Sequence, residues 1–243
     1  MSRTRVWFDN VELTALCNAS DLKEALLPRN IATSDVPGRD GAMYLGARLA
    51  AKDVSMTLTL LERPGTDRSA ALRQLAGILS REGEHRLEIE SDGGLWRMAA
   101  CTAGGDMGRY RNGIGQGVTF KVTDPVFYGD DDDATVPSGG SVIFTVGGTY
   151  PTLPTITASA AQNGAGGYWR ITDENGAYVQ ATIPDGVTTA PVVVDCPNRV
   201  LRVNGGVTVL PLDADWILLE PGEHTLTMTG AGAATVEWTE RWV

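Results

Sequence analysis

From Ser141 onward the chain is a succession of short β-prone runs separated by turn signals, a pattern that specifies a β-sandwich. The runs are Ser141 to Val146, Thr152 to Ala158, Trp169 to Thr172, Ala177 to Ile183, Val192 to Asp195, Val200 to Val203, Val207 to Pro211, Trp216 to Leu219, His224 to Thr229 and Thr235 to Trp242. Asn175-Gly176, Asp185-Gly186 and Asn204-Gly205 fall between them, where residues tolerant of positive φ close tight turns. Within Trp216 to Met228, Pro221-Gly222 joins two β-prone arms and predicts a hairpin. No repeat of fixed period is present, which removes solenoids and propellers.

The first half carries the same β signal with one interruption. Arg5 to Leu13 alternates as a strand with a turn at Asp9-Asn10, and Ser20 to Leu27 reads as a helical turn or two before Pro28. Pro37-Gly38-Arg39-Asp40-Gly41 is a tight loop. Lys52 to Leu61 alternates at period two, with Val54, Met56, Leu58 and Leu60 toward a core. Thr66 or Asp67 caps a helix running to Arg81, whose apolar stripe is Leu72, Leu75, Ala76 and Leu79. Asp92-Gly93-Gly94 then predicts a hairpin between His85 to Glu90 and Leu95 to Cys101. A glycine-rich loop over Arg109 to Gly117 leads into a last strand ending at Val122. Asp130 to Asp133 repel one another and predict a solvated connection. The fold expected is mainly β, with domains at 1–128 and 129–243: a β-rich domain with one main helix, then a sandwich.

Composition narrows the function classes. A net charge of −10 opposes wrapping of nucleic acid, because phosphate binding depends on lysine and arginine displacing counterions. The same charge suits a wall past which a polyanion slides, or simply a soluble surface. Cys17, Cys101 and Cys196 are far apart and odd in number, giving neither a disulfide framework nor a metal site. No signal peptide or span of roughly 20 apolar residues is seen, so a soluble protein made in the cytoplasm, without membrane contact, is expected.

Catalytic chemistry finds no foothold. His85 and His224 lie in different predicted domains without a partner motif, and no nucleophile elbow or zinc helix occurs. Gly113-Ile114-Gly115-Gln116-Gly117 lacks the lysine and following helix of a phosphate loop. Asp130 to Asp133 lack the spacing of a calcium loop, so no cofactor or metal is expected. Arg109, Tyr110 and Arg111 make too small a cationic footprint for nucleic acid and read as a solvated or subunit-contacting loop. A non-enzymatic role follows, with a cell-wall hydrolase disfavoured for want of paired acids. Aromatics such as Trp169 and Trp216 raise one alternative, a glycan-binding sandwich that stacks sugar rings on them.

Taken in order, several short patterns resemble the distal tail protein family of long-tailed bacteriophages. They are Trp7-Phe8; the Pro37 to Gly41 loop; the alternating strand; the Arg68 to Arg81 helix; Phe120-Lys121-Val122-Thr123-Asp124-Pro125 with Phe127-Tyr128; Gly147-Gly148 ahead of Tyr150-Pro151-Thr152-Leu153-Pro154; Trp216-x-x-Leu219-x-Pro221-Gly222; and Arg241-x-Val243. The resemblance implies a galectin-like C-terminal sandwich and an N-terminal domain that assembles as a homohexameric ring. That ring would join the tail tube to the tail-associated hub protein, let DNA pass, and support receptor-binding protein at the virion's tail tip. Contacts between copies are expected at Lys52, Val54, Met56 and Leu58 on an open sheet edge, at Arg68 and Arg73 on the helix, and at Arg109 and Arg111 in the loop. Enlarged members of the family carry an inserted carbohydrate-binding module for which this chain has no room.

Overall fold

In a computed structural model, described over residues 4–26, 28–61, 67–110, 113–160, 167–183 and 189–243, the chain forms two compact units. One is Met1–Phe127 with Val243, the other Tyr128–Trp242.

The first unit contains β1 (Val6–Phe8), β2 (Val11–Glu12), β3 (Asn18–Glu24), β4 (Arg29–Asp35), β5 (Ala42–Leu49), β6 (Lys52–Leu61), α1 (Arg68–Leu79), β7 (His85–Ile89), β8 (Trp96–Tyr110) and β9 (Gly113–Val122). Antiparallel pairing runs β3-β6-β9-β8-β7-β1-β2. Asp9 and Asn10 adopt φ of 51° and 60°, closing the β1–β2 hairpin at the turn the sequence marks. In β6, Val54, Met56, Leu58 and Leu60 enter the core with Phe8, Leu87, Val118 and Phe120. Helix α1 lays Ala71, Leu75 and Ile78 on the same core. Asp67 caps it, its side chain accepting from the amides of Ser69 and Ala70 at 2.9 and 3.2 Å.

Three expectations for this unit need correction. Residues 20–24 form the end of β3, not a helical turn: Asn18 to Ser20, then Lys23 and Glu24, pair with β6. A bulge around Asp21, at φ 53°, breaks the alternation that would have shown a strand. The glycine-rich stretch is also no loop, since β8 and β9 stay paired out to Tyr110 and Gly113. Nor is β6 an open edge, because β3 and β9 flank it on both sides.

The second unit is built from β10 (Phe127–Val136), β11 (Ser141–Val146), β12 (Thr155–Ala160), β13 (Tyr168–Thr172), β14 (Tyr178–Thr182), β15 (Ala190–Asp195), β16 (Val200–Val203), β17 (Gly206–Thr208), β18 (Gly222–Thr229) and β19 (Ala234–Trp242). One sheet runs β17-β16-β15-β12-β19-β10 and faces a second in the order β11-β18-β13-β14. Between them lies a core of alternate residues, among them Ile156, Trp169, Ile171, Val179, Val192, Val194, Leu226, Met228, Val236 and Trp238. Asp130 to Asp133 belong to β10 and are not a connection. Every side chain from Asp130 to Asp133 is exposed, so a strand accommodates the run in the open. The Pro221-Gly222 pair does not close a hairpin either. β18 pairs with β11 and β13, while Leu219 bridges to Thr152.

Candidate assembly surfaces

Residues 29–49 fold back on themselves as the β4–β5 hairpin, and among the described residues these strands pair only with each other. Each strand reaches roughly 25 Å from its base, at about 3.3 Å per residue. Between Ala32 and Thr33 the register shifts: Gly46 faces Ala32 and Tyr44 faces Thr33, so Leu45 is the extra residue of a bulge. Apolar side chains remain in the open, Ile31 at 63%, Tyr44 at 64% and Leu45 at 59% exposed. None of the hairpin belongs to the core of the first unit. A lone two-stranded hairpin is at best marginally stable in water, and exposed apolar residues grouped on one element mark a surface awaiting cover.

Sequence reasoning placed a loop at Pro37 to Gly41 but missed the strands around it. The available signal was Pro-Gly and Asp-Gly turn chemistry between Ile31 and Tyr44. What concealed it is that β-strands exposed on both faces need no alternation.

The residues expected at contacts fall in different settings. Val54, Met56 and Leu58 are 0, 3 and 1% exposed, so their side chains serve the core and are not presented to a neighbour. Lys52 is also buried, its ammonium 3.6 Å from Glu24 Oε1. Arg68 and Arg73 stand exposed on α1. Beside them, Leu72, Leu75, Ala76 and Leu79 form a shallow apolar groove with Cys101 and Gln116. Arg109 lies on β8, its backbone opposite Ile114, and Arg111 lies outside the described residues.

The aromatic residues proposed for sugar stacking do not present a platform. Trp169 is fully buried, with its indole N–H directed at Met228 Sδ 3.0 Å away, so it cannot stack on a ligand. Trp216 is half-buried against the sandwich core. On the outer face of the second sheet, the rings of Tyr168 and Tyr178 are already covered by the Arg170 guanidinium at 5.3 and 4.1 Å. Arg170 is held in turn by Gln180 Oε1. The Tyr178 hydroxyl bonds to the Asp213 carboxylate, which raises the phenol and lowers the acid.

His224 is buried, with Nδ1 2.8 Å from Glu174 Oε1 and Nε2 2.6 Å from the Glu220 carbonyl oxygen. Glu174 also accepts from the Thr225 amide at 3.0 Å. Burial alone would raise the Glu174 carboxyl, but the backbone amides and His224 outweigh it and hold it below the usual carboxylate range. The group fastens the β13–β14 turn to β18. His85 sits 3.3 Å from Asp9 and edge-on to Phe8.

Scattered patterns in the second half meet in one corner of the sandwich. Thr149 and Tyr150 both donate their amides to the Arg241 carbonyl, at 2.9 and 3.0 Å. The Arg241 guanidinium lies over the rings of Tyr128 and Tyr150 and donates to the Pro151 carbonyl at 3.2 Å. Thr152 and Leu219 exchange two backbone hydrogen bonds of 2.8 and 2.9 Å. Gly148, at φ 96°, approaches so closely that a Cβ would stand 2.3 Å from the Arg241 carbonyl oxygen. Tyr128, Gly148, Tyr150-Pro151, Leu219 and Arg241 are thus the knot that locks the chain end to the sandwich.

Residues 147–242, which hold most of that knot, match the family described as siphovirus-type tail component, C-terminal domain. Among curated proteins no sequence matches the chain. Among solved structures, the Dit (gp 19.1) protein of phage SPP1, described as a paradigm of the hub adsorption apparatus in phages infecting Gram-positive bacteria, is similar over 100% of both chains. Its TM-score is 0.81 at 17% identity. A chain of the activated phage P2 baseplate with calcium is similar at TM-score 0.57 and 8% identity, over 99% of this chain and 98% of that one. The strontium form gives 0.55 and 8%, over 98% and 97%. The second half of the chain thus matches a siphovirus-type tail component C-terminal domain, and the chain along its whole length has the fold of the SPP1 Dit protein.

Proposed function

We propose that this protein assembles into a closed ring of six copies that joins the tail tube to the tip hub and leaves a passage for DNA. The observation that carries the reading is the freestanding β4–β5 hairpin, with apolar residues its own unit does not cover. A second copy is the occupant, because a head-to-tail contact repeated around a closed cycle covers every hairpin and leaves none open. The receiving surface we assign is the α1 groove of Leu72, Ala76 and Leu79 flanked by Arg68 and Arg73. The net charge of −10 supports passage of DNA over capture, since an acidic wall does not hold a polyanion. The sandwich unit, with a family match to tail components, is left to meet hub or receptor-binding proteins.

Light scattering coupled to size exclusion, followed by negative-stain imaging, tests this directly. A particle of six times 25.8 kDa with a central hole is the expected result. A monomer at every concentration would rule out self-assembly through the hairpin.

A further inference from the structure

The hairpin leaves the first unit after Glu24, the last residue of β3, and its chain returns at Lys52, the first residue of β6. These two side chains meet, with Lys52 Nζ 3.6 Å from Glu24 Oε1. Arg97 donates through Nη1 to the other Glu24 oxygen at 2.6 Å and through Nη2 to Asp92. The Lys52 and Arg97 side chains are each 1% exposed. The Phe127 ring lies 4.8 Å from the first cation and 4.3 Å from the second. One step farther out, the Ala50 amide donates to the Pro28 carbonyl at 2.9 Å and closes the base of the arm.

Burial pushes the Lys52 ammonium below its usual range and the Asp92 carboxyl above its own. At both groups desolvation exceeds the attraction of the partners, so the network is a poor source of stability where apolar residues would pack more cheaply. Its distinguishing property is direction: a guanidinium fork with two carboxylate partners permits few arrangements of the strands that carry them.

We infer that Glu24, Lys52, Arg97 and Asp92 form a positioning clamp that fixes the direction in which the β4–β5 arm leaves the first unit, so that every copy offers it alike. The purpose of the clamp rests on the ring reading above, whereas the clamp itself is a property of a single copy.

Hydrogen–deuterium exchange on the full chain reads the two apart. Glu24→Gln removes the shared anion at nearly constant shape. It is expected to speed exchange over residues 22–28 and 47–54 by roughly tenfold while β7 and the core of β9 keep wild-type rates. Glu24→Asp, which keeps the charge, is expected to restore much of that protection. Should the Gln variant fail to fold, Lys52→Met, which leaves Glu24 its Arg97 partner, is read by the same criterion. Wild-type exchange at the arm's base in the variant, or a rise spread evenly over the whole unit, would overturn the clamp. So would normal rings formed by a variant whose base has loosened. A loosened base in a protein whose wild type never forms rings would sink the ring reading and support the clamp.

Discussion

At the scale of single residues, the family's order of motifs turns into specific contacts with measurable consequences. Gly148 combines a φ of 96° with a Cβ position 2.3 Å from a backbone oxygen, so a side chain there meets both strain and collision. Gly148→Ala should cost about 2–4 kcal/mol, read as a lower urea midpoint with the slope unchanged. Glu174 gives a pH signature. Its folded carboxyl sits below the ordinary range, so its contribution is complete above the unfolded value of roughly 4.3 and fades as pH falls through the lower folded value. Stability curves from pH 6 to pH 3 should therefore show wild type ahead of Glu174→Gln at the upper end, with the gap closing as acid is added. A gap that stays constant to pH 3 would mean that the contacts to His224 and Thr225 do not depend on the charge.

Among the elements, those read correctly from sequence have burial on one face, and those missed do not. β6 alternates because one face is core, and α1 shows its Asp67 cap, but the face it buries is Ala71, Leu75 and Ile78, so of the stripe Leu72, Leu75, Ala76 and Leu79 only Leu75 is fully buried. Even Lys52 and Arg97 left a trace, since each shares the inward parity of its strand with Val54 or Ala99 and so predicts a buried charge. The β4–β5 arm has no buried face in a single copy, and its strands leave no periodic pattern to find. Pro221-Gly222 misled for another reason: local turn chemistry reports a reversal but not which strand the next segment will join. The arm's independence gives a clean deletion. Because Pro28 and Ala50 are already hydrogen-bonded and no arm residue enters the core, a short Gly-Ser turn can replace residues 29–49. That variant should keep the first unit's stability within about 0.5 kcal/mol of wild type. By light scattering it should remain a monomer at concentrations where the full chain assembles. Assembly unaffected by the deletion would move the contact to another surface.

For the whole molecule, two separate cores joined in one chain allow assembly to be assigned to one half without cutting it. The first core gathers Phe8, Leu58 and Phe120, the second Trp169, Ile171 and Trp238, and no residue is shared. Each core is expected to melt as its own cooperative unit, so a calorimetric scan should resolve two transitions. Whatever binds the folded form of a unit raises that unit's transition by mass action, and a second copy counts as such a ligand. If the arm and the α1 groove make the ring, only the first unit's transition should climb as protein concentration rises. Gly148→Ala identifies the other transition, because that substitution lowers the sandwich alone. A concentration-dependent sandwich transition with a fixed first one would place self-association on the β-sandwich and remove the hairpin from the ring. Equal movement of both would mean that the two cores unfold as one unit.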